Sequence, residues 1–213
     1  MFPSLKKTPV TATLLLLIAA MFGWESVQSY LTHHAALDDS VLVALGALTA
    51  DALRNGEYWR LLTVMFLHAN VLHWLANSWA LYQLGSAYES LFGARRFLVI
   101  YFGTGVCASI GSAIALPAGG ASVGASGAIL GVLGAFIFSI TRSQWRQERW
   151  ARSLVAQLVF WAVVNVVIGF EFEQIDNAAH LTGLASGLLL GNLPQRIPPP
   201  PPGDEVIDVK PSS

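Results

Sequence analysis

Apolar residues in this chain do not alternate with polar ones; they come in long blocks separated by short polar stretches. A hydrocarbon core about 30 Å thick needs roughly 20 apolar residues per crossing helix. Six blocks approach that length and predict transmembrane helices over 10–28, 70–91, 96–116, 124–141, 153–170 and 177–193. The expected fold class is therefore an all-α membrane protein, a polytopic bundle of six helices over 10–193. A short N-terminus, 1–9, precedes it and a tail, 194–213, follows. The segment 31–69 is too long for a turn and too broken for a span. Its VLVALGALTADAL run is apolar enough to lie in the membrane interface, and GEYWRLL sets Tyr58, Trp59 and Arg60 at headgroup level. The tail carries five successive prolines at 198–202 and has no apolar period, which predicts polyproline II and disorder. There is no internal repeat.

Composition agrees with the blocks. Of 213 residues, 54% are hydrophobic and only 12% charged, with a mean hydropathy of +0.55; soluble domains carry about a quarter charged residues. A net charge of −1 argues against nucleic acid as a partner. The one cysteine, Cys107, can form no internal disulfide and alone builds no metal site. The first block, flanked by Lys6 and Lys7, also fits a signal peptide, but no small-x-small cleavage site follows Trp24, so a retained anchor is expected. Threading six spans from a cytoplasmic N-terminus puts ten basic residues inside: Lys6, Lys7, Arg95, Arg96, Arg142, Arg146, Arg149, Arg152, Arg196 and Lys210. Only Arg54 and Arg60 fall outside. The positive-inside rule then sets both termini in the cytoplasm, with the outer loops acidic through Asp38, Asp39, Asp51, Glu57, Glu171, Glu173 and Asp176.

That topology brings four polar residues to one depth. Ser126 opens the fourth span, His180 lies a turn into the sixth, and His73 and Asn77 occupy the first two turns of the second, all counted from the outer face. At about 1.5 Å per residue, each sits roughly 5–10 Å below the surface. Any one of them has a bland reading: a packing serine, a helix-bridging histidine, a His–Asn pair four apart bonded to a neighbouring helix. Jointly they are costly unless used. The glycines supply a reason for convergence. Gly124, Gly127, Gly131 and Gly134 thin one side of the fourth span, and Gly183, Gly187 and Gly191 recur at four-residue steps in the sixth. Such faces let two backbones approach closely, which would bring Ser126 beside His180. A serine with a histidine base is a nucleophile. The start of the fourth span offers free backbone N–H groups, His73 and Asn77 could add donors for an oxyanion, and Gly124 and Ala125 leave room for a substrate backbone. Asp176, four residues before His180, could face it as a third member or cap the sixth helix; capping is the better reading, which leaves a Ser–His dyad.

These residues resemble those of the rhomboid intramembrane serine proteases. GASG around Ser126, AHLTGLASG from Ala179, and HANVLHWLAN with His73 and Asn77 match the family's G-x-S-G, A-H-x-x-G-x-x-x-G and H-x-x-x-N elements in order. YWR, holding Trp59 and Arg60, is similar to its Trp–Arg element, and GSAYESLFG to its G-x-x-x-E-x-x-x-G element, with Glu89 between Gly85 and Gly93. The resemblance covers about residues 10–193. It implies a six-helix bundle of bacterial type in the inner membrane, with a water-filled cavity open to the outer side. Ser126 would be the nucleophile and His180 the base, with an oxyanion hole of His73, Asn77 and the Ser126 N–H. His68 would lie near the cavity, and Gly124, Gly127, Gly183, Gly187, Trp59, Arg60 and Glu89 would support the architecture. Substrates would be single-span transmembrane proteins met within membrane lipid, with no cofactor, metal or nucleic acid. One departure stands out: bacterial members often have a tyrosine four residues after the serine, stacked on the histidine, and here it is Leu130.

Two other functions compete. A rhomboid-like pseudoprotease would bind transmembrane helices without cutting them, but such proteins tend to lose the Ser–His pair. A transporter or channel would need carboxylates or paired broken helices near the midplane, and the spans show neither. There is also no H-E-x-x-H for a zinc protease and no pair of mid-span aspartates.

Overall fold

Blocks of Leu, Val, Ala and Phe with few breakers satisfy their backbone hydrogen bonds internally only as helices, and helices dominate the described residues. The computed structural model describes residues 5–32, 39–172 and 175–193. In order they form α1 (Pro9–Leu31), α2 (Asp39–Leu45), strand β1 (Leu48–Thr49), α3 (Ala50–Arg54), α4 (Arg60–Thr63), α5 (Val71–Phe92), α6 (Ala94–Ala115), strand β2 (Ala121–Ser122), α7 (Ser126–Thr141), α8 (Arg149–Glu171) and α9 (Asn177–Leu190). Short 3-10 turns precede α1 and follow α4 and α7. The fold is all-α but for one miniature ladder, antiparallel, with Leu48 opposite Ser122 and Thr49 opposite Ala121. The Pro-rich tail, Arg196 and Lys210 with it, lies outside the described residues, as do Asp38 and Glu173.

Each of the six expected spans begins and ends within a few residues of a helix; α9 starts at Asn177 as expected and ends at Leu190 where the apolar block runs to 193. By length and apolarity alone, α1, α6 and α8 are sufficient to cross a membrane, while α7 is apolar but only 16 residues long. The surface is that of a membrane protein. Leu16, Leu72, Trp79, Ile114, Phe160, Phe170 and Leu189 stand exposed on it, whereas Thr11, Ser86, Thr104, Ser109, Ser112 and Ser139 are buried. Two of these hydroxyls are satisfied within their own helix: Thr104 donates to the Ile100 carbonyl at 2.7 Å and Ser109 to that of Gly105 at 2.9 Å.

At the centre, α7 is buried on nearly every side and lies along α9 and α6. A Cβ on Gly183 would collide with the Gly127 carbonyl, and one on Gly187 with the Gly131 carbonyl. On the other side Gly131 accommodates Thr104 of α6, and a Cβ on Gly127 would come within 2.6 Å of that of Ala108. Larger residues on either face would force the helices apart, so the glycine spacing sets how closely the backbones approach.

The remaining elements are tied in by charge. Glu89 of α5 accepts the N–H groups of Val10 (3.0 Å) and Thr11 (2.8 Å) and the Thr11 hydroxyl (2.7 Å), an anion at the N-terminus of α1. Arg60 donates to the carbonyls of Val43 (2.6 Å) and Ala47 (2.8 Å), pairs with Glu57 at 2.7 Å, and lies 4.5 Å from the centre of the Trp59 ring. It thereby folds 43–60 onto itself. Tyr58 and Trp59 are exposed, but Leu42, Ala47, Leu48 and Leu67 are fully buried. The 39–69 segment is thus a packed element of the fold and not a loose connection.

Candidate active site

Three helix beginnings meet at the site. Asn70 caps α5, its side chain accepting the His73 N–H at 2.8 Å. Asp176 caps α9, its Oδ1 accepting the Ala179 N–H at 2.9 Å, the capping role expected of it. In contrast, α7 starts at Ser126 after Ala125 with no side-chain cap. Its first-turn amides have no i−4 carbonyl to bond and point out of the helix end.

The glycine-mediated approach of α7 and α9 sets Ser126 Oγ 2.8 Å from His180 Nε2. His180 is 5% exposed, while Ser126 is partly open. The other ring nitrogen, Nδ1, has no side-chain partner among the described residues, and the ring there faces the Asn165 backbone of α8. Asp176 does not supply one: both its oxygens are engaged elsewhere, Oδ2 by the hydroxyls of Ser122 (2.7 Å) and Ser112. Leu130 is buried one turn below Ser126.

The depth of Ser126 follows from helix register. Gly127 faces Ala108, and α6 continues seven residues past Ala108 to Ala115. At about 1.5 Å per residue, α6 therefore reaches ~10 Å beyond the start of α7. Ser126 is recessed by that amount below the end of its neighbour.

From α5, the His73 ring leans against Gly124. A Cβ there would sit 2.7 Å from His73 Cε1, 2.8 Å from Nε2 and 3.8 Å from Ser126 Oγ. Gly124 has φ +126°, a conformation that disfavours any side chain, and its N–H donates to the Val64 carbonyl at 2.9 Å. The position a side chain on Gly124 would fill is thus taken by the His73 ring. Asn77, 5% exposed, donates one amide hydrogen to the His73 carbonyl at 3.0 Å, leaving the other uncommitted. His68 is fully buried, edge-on to His73 with ring centres 5.1 Å apart. Burial, and then the neighbouring His73, push its pKa down to about 3, so it is neutral at ordinary pH.

Two groups escaped the sequence reading. Glu25 of α1 is fully buried, and both its oxygens lie 3.3 Å from the His68 N–H. The signal was available, since an ionisable residue inside an apolar block marks a site by default. Ser112 and Ser122 gave no such signal, because serines are common in spans and their shared partner is distant in sequence.

Comparison with known proteins places the chain. A family model for the rhomboid domain matches residues 55–195. Rhomboid protease GluP of Bacillus subtilis is 37% identical over 146 residues, 68% of this chain and 28% of the relative. YdcA of the same bacterium is 36% identical over 140 residues, 65% of this chain and 68% of the relative. RHOMBOID-like protein 1 of Arabidopsis thaliana is 37% identical over 151 residues, 70% of this chain and 38% of the relative. The chain therefore spans well under half of two of these relatives and about two thirds of the third.

Proposed function

The chain belongs to the rhomboid family, and on that premise we propose that it is an intramembrane serine endopeptidase that cleaves transmembrane segments with a Ser126–His180 dyad. The observation that carries this reading is the 2.8 Å contact between Ser126 Oγ and His180 Nε2. Homology and this pairing together support a serine-hydrolase activity. In the reaction, His180 Nε2 takes the hydroxyl proton as Ser126 Oγ attacks the scissile carbonyl. The resulting oxyanion meets the uncapped Ser126 N–H, the His73 ring and the free Asn77 amide hydrogen, which together form the hole. His180 then returns the proton to the leaving amine, and a water activated by the same ring releases the acyl chain. Nε2 can act as base only if the ring hydrogen is on Nδ1. Trp59, Arg60, Glu89, Gly183 and Gly187 hold the architecture, and His68 stands behind His73.

Six helices cross the membrane in this reading: α1, α5, α6, α7, α8 and α9. At about 1.5 Å per residue, α7 and α9 are ~24 and ~21 Å long, shorter than the hydrocarbon core. Their recessed outer ends admit water to Ser126. Both termini are cytoplasmic, by the distribution of Lys and Arg, and the membrane is a bacterial inner membrane.

The oxyanion hole is tested by His73→Ala and Asn77→Ala. Losing one donor of such a hole costs on the order of 10²-fold in turnover in soluble serine proteases. A smaller loss is expected for Asn77→Ala, because the Ser126 N–H and His73 share the charge, with substrate binding nearly unchanged. If the single and double variants all kept wild-type turnover, the oxyanion would be held elsewhere.

Substrates are single-span proteins with small or helix-breaking residues near the outer end of their span. A transmembrane helix hides its carbonyls in i to i+4 bonds, so it must unwind before Ser126 can attack. Moving a Gly or Pro from the outer to the cytoplasmic end of a substrate should lower cleavage, and leucines at the outer end should protect it. Product mass spectrometry reads this directly; cuts at the cytoplasmic end would contradict it.

A further inference from the structure

We infer that Asp176 is a positioning residue for the dyad, a carboxylate that fastens the strand leading to Ser126, the helix bearing His180 and the end of α6 to one another. The inference rests on the Ser126–His180 reading above. Three donors converge on this side chain. Oδ1 accepts the Ala179 N–H at 2.9 Å, one residue before His180. Oδ2 accepts the Ser122 hydroxyl at 2.7 Å from β2, four residues before Ser126, and also the Ser112 hydroxyl from the last turn of α6. The backbone carbonyl of Asp176 accepts the His180 N–H at 3.1 Å, so both ends of the residue act on the start of α9. Ser112 is 1% exposed, so its hydroxyl has no water to turn to in place of this carboxyl group.

The arrangement matters because, among the described residues, no side chain other than Ser126 hydrogen-bonds the His180 ring. Its Nδ1 has no side-chain partner among the described residues, the ring facing only the Asn165 backbone of α8 there, and the position of the family's stacking tyrosine is Leu130. The ring's position is then inherited from the backbone of α9, which is fixed at its N-terminus by Asp176. Ser126 is fixed through the 121–125 segment, which β2 pairs to Leu48 and Thr49 and Ser122 ties to the same carboxylate. One side chain thus references both reacting atoms to a common point. A direct relay role is excluded by the same bonds, since neither oxygen of Asp176 is bonded to the His180 ring.

The test compares the full chain in detergent or liposomes with Asp176→Ala, Asp176→Asn and the double variant Ser112→Ala/Ser122→Ala, on a transmembrane substrate. The double variant keeps the cap on Ala179, so it remains folded even if Asp176→Ala does not. Expected results are a loss in kcat of about 10-fold or more for the double variant and for Asp176→Ala, with KM within about 2-fold. Fluorophosphonate labelling of Ser126 should slow in parallel. Asp176→Asn should retain kcat within about 3-fold, because an amide oxygen still caps Ala179 and the serine hydroxyls can turn to accept from its NH₂. Wild-type kcat in the serine double variant would overturn the inference. So would an Asn variant as impaired as the Ala one, since the charge of Asp176 and not its hydrogen bonds would then be what the dyad needs. A wild type that neither cleaves nor labels would strike the dyad reading itself, a result separable from both.

Discussion

Ser126→Ala should abolish cleavage of a transmembrane substrate, and His180→Ala should do the same, each by at least ~10⁴-fold, equivalent to about 5.5 kcal/mol of transition-state stabilisation. The double variant should be no worse than either single one, because nucleophile and base act as a unit through a single 2.8 Å contact. Labelling of Ser126 by a fluorophosphonate should also require His180, since the hydroxyl has no other base within reach among its described hydrogen bonds. Thermal unfolding should move little for Ser126→Ala, which removes one partly exposed hydroxyl. Full activity in Ser126→Ala would end the protease reading. A wild type that binds transmembrane helices yet neither cuts nor labels would favour the pseudoprotease alternative.

The helices were legible because apolar block length is read directly against bilayer thickness, so α1, α5, α6 and α8 start and stop close to where the blocks do. The site was legible because its polar residues are anomalies in such blocks. The start of the fourth span was set at 124 and α7 begins at Ser126, because Gly124 takes a positive φ and Ala125 only then turns into the helix. The ladder between Leu48–Thr49 and Ala121–Ser122 left no trace, since two residues per strand cannot show a period.

Partners that are backbone groups were equally invisible. Nothing in YWR says that Arg60 will bind the carbonyls of Val43 and Ala47. The capping role of Asp176 could be read from its place before a helix, whereas its bonds to Ser112 and Ser122 join elements 64 and 54 residues away. Local rules carry no information at that separation. The glycine faces are the exception: their four-residue period is local, yet it encodes a long-range contact, because only a thinned face can meet another backbone.

That contact yields the second large effect. In Gly183→Ala the new Cβ would run into the Gly127 carbonyl, and in Gly187→Ala into that of Gly131. Both obstacles are backbone, so no side chain can swing aside and α7 and α9 must separate. Overpacking of this kind typically costs about 1–3 kcal/mol, which should appear as a lower unfolding temperature in both variants. Their catalytic effects should differ. Gly127 adjoins Ser126 and Gly183 lies three residues beyond His180, so separation there opens the 2.8 Å contact itself. A misplacement of about 1 Å can cost ~10²-fold in rate, and Gly183→Ala should lose at least that. Gly187 is one turn further from the reacting atoms, so its alanine variant should lose stability in similar measure but less activity. Gly23→Ala in α1 is the control: a Cβ there meets nothing within 4 Å, and helix propensity favours alanine over glycine by up to about 1 kcal/mol. Equal unfolding temperatures and turnover in wild type and Gly183→Ala would show that the α7–α9 approach is looser than the glycine faces require.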